Sequence, residues 1–242
     1  MSIRTIVKGW IRLSLDRTLV PVARHVLNPL IQPKTKTVLD EIWNRAIITS
    51  AEYVESHMSY AVKFSDRNRL IDFALSKISG KGIHAEFGVF RGESINYIAK
   101  RLKCGVSIYG FDSFEGLRED WRGHELIKGA FSLGGRLPNV SHNVALIKGW
   151  FDDTLPDFLS RRTEPFAFVH IDCDTYEACK TVFSLIGDRL IAGTIILFDE
   201  YFGYTGWRVG EWKAWQEFVN QRNVRYEYLG FSIHQVAIKI IG

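Results

Sequence analysis

Two apolar runs in this sequence end abruptly in acids. The segment FAFVHIDCDTYE, residues 166–177, delivers Asp172 and Asp174, and GTIILFDEYFG, residues 193–203, delivers Asp199 and Glu200. A carboxylate at the end of a buried run is costly unless it binds something. In an extended chain residues two apart face the same way, so Asp172 and Asp174 are expected to share a face. Neighbouring strands lie about 4.8 Å apart, which brings the four acids to one sheet edge. Close carboxylates repel one another and favour a cation among them. An all-oxygen set suits a hard ion such as Mg²⁺. Taken singly, Asp174 could cap a helix beginning near Thr175, and Glu200 could face water. Asp199 and Glu200 point oppositely in a regular strand, so both reach one ion only where the chain bends.

A second segment, AEFGVFRGES at residues 85–94, carries Glu86, Gly88 and Gly92 between a β-rich run and a helical one. Glycine permits a tight turn and close backbone approach to a ligand, and the helix that follows offers free N–H groups. The pattern departs from the dinucleotide G-x-G-x-x-G, because Glu86 stands in place of the first glycine. Read alone, it is also compatible with a plain strand–helix turn. Twenty residues after Gly92 the next apolar run ends at Asp112. In doubly wound folds an acid at that distance accepts hydrogen bonds from ribose hydroxyls. Loop and acid together predict a nucleoside-containing cofactor over the carboxyl edge of the sheet.

These residues need a parallel sheet to converge, and the pattern supplies one. Short apolar runs at 83–87, 106–111, 144–147, 166–171 and 194–198 alternate with helical patterns at 93–102, 175–190 and 211–219. Continuous apolar strands alternating with helices predict a doubly wound α/β sheet covered on both faces. The runs Tyr226–Leu229 and His234–Ile240 are separated by only four residues, too few for a crossover helix, so an antiparallel hairpin should close the sheet. Ahead of the sheet, residues 34–80 read as a helical layer. Leu39, Ile42, Trp43, Ala46, Ile47 and Val54 form one stripe; a second helix starts after Ser65 as N-cap and can end at Gly80.

The chain has 242 residues, 46% hydrophobic and 24% charged, a composition that fits one globular α/β domain with additions. No stretch approaches the roughly 18–20 apolar residues of a membrane helix. Three cysteines, Cys104, Cys173 and Cys179, point to a reducing compartment, the cytoplasm, and lack zinc-site spacing. Residues 1–31 hold five basic residues against Asp16 and so carry the whole net charge of +4. The body that would hold a site is formally neutral, which argues against a nucleic-acid substrate. Residues 1–33 read as an amphipathic arm: Ile3, Ile6, Val7, Trp10 and Ile11 on one face, Arg4, Lys8 and Arg12 on another. It does not read as a secretory signal. Packing on its own domain or on a second copy of the chain, giving a homo-oligomer, is the expectation. An anionic membrane surface met by residues 1–31 is the alternative.

Taken in order, AEFGVFRGES, YGFDSFEGL, KGWFDDTLP, HIDCDTYE, ILFDEYFG and GEWKAWQEF resemble the macrocin O-methyltransferase family of class I S-adenosylmethionine (SAM)-dependent enzymes. They span roughly residues 80–220, and residues 1–60 carry no part of the resemblance. The resemblance implies a seven-stranded sheet of order 3-2-1-4-5-7-6, and Mg²⁺-assisted methylation of a small-molecule hydroxyl, foremost a sugar. By the same resemblance Glu86, Gly88, Val89, Phe90, Gly92 and Ser94 border the methionine part of SAM. Asp112 and Ser113 hold the ribose, and Gly149, Trp150 and Phe151 lie near the adenine. Asp172 borders the cofactor and, with Asp199 and Glu200, matches metal-ligand positions; Asp174 matches the general base.

Other residues are less specific. Tyr201, Phe202, Tyr204 and Trp207 could stack on an acceptor or pack under a loop. The glycine-bearing stretch 119–138 could be a lid or an ordinary loop. His170 is expected to pack in its strand, and Cys173 and Cys179 to fill space. Two competing classes remain: a nicotinamide-dependent oxidoreductase, and a non-catalytic protein that keeps the fold.

Overall fold

A computed structural model describes residues 36–242. The amphipathic arm and the oligomer and membrane readings placed on it lie outside the described residues. In chain order the elements are α1 (Val38–His57), β1 (Val62–Lys63), α2 (Arg67–Ser76), β2 (Ile83–Phe87), α3 (Glu93–Ala99), β3 (Ile108–Asp112), β4 (Val144–Lys148), α4 (Phe151–Ser160), β5 (Phe166–Ile171), α5 (Tyr176–Ile186), β6 (Ile195–Phe198), α6 (Glu211–Arg222), β7 (Tyr226–Phe231) and β8 (Val236–Ile240).

The sheet has eight strands in the order β1-β7-β8-β6-β5-β2-β3-β4. From β6 to β4 all pairs are parallel. β8 runs antiparallel to both β6 and β7. Leaving β1 aside, this is the predicted seven-strand order with its closing hairpin. The eighth strand is the correction. Val62 and Lys63 pair in parallel with Gly230 and Phe231 at the sheet edge, and two residues are too short to show a period.

Every residue of β5 and β6 is buried. Their side chains alternate between two apolar layers, as the pleat requires. Ile196 and Phe198 face the layer built with α4, α5 and α6, whereas Ile195 and Leu197 face the layer built with α2 and α3. The acids that follow are therefore presented at the end of a sheet held from both sides.

Element ends differ from the sequence pattern in instructive ways. α2 is capped by Asp66, whose Oδ1 accepts from Arg69 N at 3.0 Å, not by Ser65. α5 is capped by Thr175, not Asp174. α1 buries Ala46, Ser50 and Tyr53, while Trp43 and Ile47 of the predicted stripe are 47% and 44% exposed. Two polar side chains direct that face: Ser50 Oγ accepts from Gly203 N at 2.9 Å, and the Tyr53 hydroxyl meets Tyr228 at 2.6 Å. α4 is not announced by the apolar pattern, since Pro156 stands in its middle.

Candidate active site

The carboxyl ends of β2 to β6 surround a cavity of about 600 Å³. Ten of the twelve predicted cofactor residues line it: Gly88, Val89, Phe90, Ser94, Asp112, Ser113, Gly149, Trp150, Phe151 and Asp172. Glu86 and Gly92 do not. Asp172, Asp174, Asp199 and Glu200 line the same space, together with Arg67.

The loop after β2 takes its shape from its neighbours. Gly88 has φ +92°, and a Cβ there would sit 1.6 Å from the Asp172 carbonyl oxygen, so no side chain is tolerated. Asp112 Oδ2 accepts from the backbone N–H of Val89 and Phe90, both at 2.8 Å, and its Oδ1 accepts from Phe114 N at 2.7 Å. Loop and acid are thus bonded to each other, and Asp112 lines the cavity. Below them Glu86 is fully buried and accepts from Ser94 Oγ at 2.9 Å. It supports the loop and does not touch the cavity. At the far side Arg118 stacks over the Trp150 ring, 4.5 Å from its centroid, and pairs with Asp152.

Backbone strain concentrates here. Five non-glycine residues have positive φ among the described residues, and Phe90, Phe131 and Asp174 of these line the cavity. Such conformations cost of order 1–3 kcal/mol and persist where surrounding contacts impose them. Asp174 has φ +64°, so the chain does not stay extended after β5 as expected. It turns, and the turn rather than strand alternation brings Asp174 within 4.8 Å of Asp172 and Glu200.

A chain of buried charges runs beneath the acids. His170 is fully buried in β5, with Nδ1 2.8 Å from Glu86 Oε2 and Nε2 3.5 Å from Asp199 Oδ1. Burial alone would lower the pKa of this imidazole, but bonding to Asp199 and Glu86 outweighs it and raises the pKa to about 9. His170 packs in its strand as expected, and in addition bonds Glu86 and lies beside Asp199. Arg67, the first residue of α2, continues the chain. Its Nη2 donates to Asp172 Oδ2 at 2.9 Å, and its Nε lies 2.7 Å from Asp199 Oδ1, an ion pair whose N–H is not aligned along the contact. Burial and the charge of Asp199 push the Asp172 carboxyl up to about 7, against the pull of His170 and Arg67. Burial, then the charges of Asp172 and Asp199, hold Asp174 well above the carboxylate range. Glu200 is raised well above it too, by burial and then by Asp199. Asp199 is lowered: burial opposes ionisation there, but the His170 hydrogen bond and the Arg67 charge prevail.

The three residues predicted to hold Mg²⁺ fall in two overlapping groups that share Asp172. Asp199 groups with His170 and Asp172, whereas Glu200 groups with Asp172 and Asp174. His170 Nδ1 is engaged with Glu86 Oε2 at 2.8 Å. Asp172, common to both groups, is held by Arg67.

Other expectations change as well. Tyr201, Phe202, Tyr204 and Trp207 are buried and none lines the cavity; they pack in the core. From the 119–138 stretch, Glu119, Trp121 and Phe131 do line it. Cys173 and Cys179 are buried as expected, and the nearby Cys179 together with burial raises the Cys173 thiol. Arg67 is the functional residue the sequence pattern hides. It lies outside the acid-bearing segments and reads as a surface charge. One signal was available: Arg67 and Arg69 fill the first turn of a helix, where the macrodipole favours acids.

Sheet order and cavity position are those of a Rossmann-like methyltransferase fold. Residues 85–201, a little under half of the chain, match the family described as methyltransferase domain. Among solved structures, the calicheamicin methyltransferase CalS11 is 20% identical with a TM-score of 0.59, covering 84% of this chain and 93% of its own. An apo structure of CalS11, described as a TDP-rhamnose 3'-O-methyltransferase, is 19% identical with a TM-score of 0.53 over 84% and 95%. The O-methyltransferase NovP is 19% identical with a TM-score of 0.55 over 73% and 80%. No curated protein gives a significant match. At these identities the likeness is one of fold.

Proposed function

We infer that the protein is a SAM-dependent O-methyltransferase acting on a hydroxyl of a small molecule, with a sugar as the favoured acceptor. The observation that carries the reading is one cavity that joins the Gly88–Phe90 loop, Asp112 and Trp150 to the acids Asp172 and Asp174. SAM supplies, when bound, an electrophilic methyl group on a sulfonium sulfur. The cavity suits such a molecule: Asp112 lines it with an acceptor site left for a ribose hydroxyl, Trp150 and Phe151 offer ring faces to an adenine, and the acids favour a cation. The macrocin-type resemblance and the described activity of CalS11 support a sugar hydroxyl.

Asp174 is the residue assigned to take the acceptor's proton. Its carboxyl, raised by burial and by acidic neighbours, is a stronger base than an exposed aspartate once ionised. Arg67 and His170 neutralise Asp172 and Asp199, so the acidic floor keeps its shape beside an incoming hydroxyl. Much of the rate is then positioning, because the oxygen must approach the methyl carbon in line. The nicotinamide reading is less well supported. The Val89 and Phe90 N–H groups that a diphosphate would need are already donated to Asp112.

The test is calorimetry with SAM, followed by a screen of sugar and phenolic acceptors with labelled SAM. Wild-type protein should bind SAM and label a sugar hydroxyl. Asp174→Asn should bind SAM within a few-fold of wild type and lose about 100-fold or more in turnover, the usual scale of general-base catalysis. Failure of folded protein to bind SAM would overturn the reading.

A further inference from the structure

We propose that Arg67 takes the place of a divalent cation in this site: its guanidinium holds Asp172 and Asp199 together, and the protein works without a metal ion there. The inference rests on the methyl-transfer reading for its activity arm only; its binding arm stands on geometry.

The argument begins with how Arg67 is delivered. α2 is anchored by Leu70, Ile71 and Ala74, each with at most 1% exposure, against Phe168, Ile195 and Leu197 of the sheet. Its first turn therefore stands at a fixed place beside the ends of β5 and β6. From there Arg67 reaches both acids at once, at 2.9 Å to Asp172 and 2.7 Å to Asp199. Its side chain is 35% exposed, and the exposed part lines the cavity. A planar guanidinium bridging two carboxylates does part of what a shared ion does: it neutralises them and fixes their separation. It is covalently tethered, so it needs no loading, and it brings no empty coordination position for a water or an acceptor oxygen. His170 lies below, 2.8 Å from Glu86 and 3.5 Å from Asp199.

The consequence is a latent metal site. With Arg67 cut back, Asp172 and Asp199 lose their cation and face the cavity as paired oxygens, with Asp174 and Glu200 alongside. The experiment is calorimetry of chelator-treated, full-length protein with MgCl₂ and MnCl₂, with S-adenosylhomocysteine present, and Mn²⁺ electron paramagnetic resonance on the same samples. Wild type should show no saturable site below 1 mM, on the order of the weakest protein-held divalent sites. Arg67→Ala should gain one Mn²⁺ site at least tenfold tighter, and Arg67→Ala/Asp172→Asn should lose it again. Arg67→Lys, which keeps a charge, should stay metal-free and controls for the loss of packing.

A sub-millimolar Mn²⁺ site in wild type, removed by Asp172→Asn, overturns the inference. So does an Arg67→Ala protein that folds, binds S-adenosylhomocysteine and still takes no metal. Should Arg67→Ala not fold, the wild-type measurement decides alone. With an acceptor in hand, wild-type turnover should change less than twofold in EDTA, and a tenfold loss restored by Mg²⁺ counts against the inference. Metal exclusion with no methyl transfer to any acceptor overturns the proposed function and leaves Arg67 where it stands.

Discussion

At the scale of single residues, the charge on His170 is the feature that most rewards measurement. It is fully buried between Glu86 and Asp199, and Glu86 has no other basic partner among the described residues, whereas Asp199 also meets Arg67. Removing one partner of a buried ion pair leaves an unpaired charge and costs about 3–5 kcal/mol, more than the pair contributes net. His170→Leu should therefore lose about that much stability in urea denaturation at pH 7. The double variant His170→Leu/Glu86→Leu should recover part of it, because it removes the stranded carboxylate as well. Equal loss in single and double variants would show that packing, not charge, sets the cost. The same residues show what the sequence makes legible. Asp172, Asp174, Asp199 and Glu200 stand out because acids end apolar runs, and the structure brings all four to one cavity. Their partners do not stand out. His170 sits mid-strand among apolar neighbours, and Arg67 is 105 positions from the acid it binds, a separation that no local pattern encodes.

At the scale of elements, the strands were legible and the ends of helices were not. Continuous apolar runs and a four-residue gap are enough to predict a parallel sheet closed by a hairpin, whereas the order of β2 to β8 comes from the family resemblance. Helix ends depend on which neighbouring hydroxyl or carboxylate wins the cap, and Ser65 against Asp66 is decided by backbone geometry alone. α1 shows a further limit, because polar residues direct its buried face. Tyr53 on α1 meets Tyr228 on β7 at 2.6 Å, and Tyr228 also meets Tyr201 at 2.8 Å and Tyr226 at 3.0 Å. Gln216 on α6 donates to Tyr201 and Tyr226. Tyr228 is thus the hub of a network that ties α1 and α6 to the sheet. A hydrogen bond is worth about 0.5–1.5 kcal/mol net, and a buried group left unmatched costs about 1–3. Tyr228→Phe should accordingly destabilise by about 1–3 kcal/mol, with hydrogen exchange rising first in α1. Tyr53→Phe, which removes a peripheral member, should cost less. A Tyr228→Phe protein as stable as wild type would mean that the hydroxyls are paired only incidentally.

At the scale of the whole molecule, the cavity belongs to no single element. Its walls come from the segments that follow β2, β3, β4, β5 and β6, and from α2 through Arg67. The unfolded chain has nothing equivalent, so a ligand that fits should stabilise the folded state by mass action. At a ligand concentration one hundred times Kd the gain is about 2.7 kcal/mol. For a domain of this size each kcal/mol moves Tm by about 2–4 °C, so S-adenosylhomocysteine should raise Tm by roughly 5–10 °C. NAD at the same concentration should leave it unchanged, since Asp112 holds the loop N–H groups and the acids after β5 and β6 oppose a diphosphate. Adding EDTA should not reduce the shift, because Arg67 rather than an ion holds the floor of the cavity. Differential scanning calorimetry distinguishes these outcomes without knowledge of the acceptor. A shift with NAD and none with S-adenosylhomocysteine would reverse the assignment of the cavity, and a shift that vanishes with EDTA would return a metal to its floor.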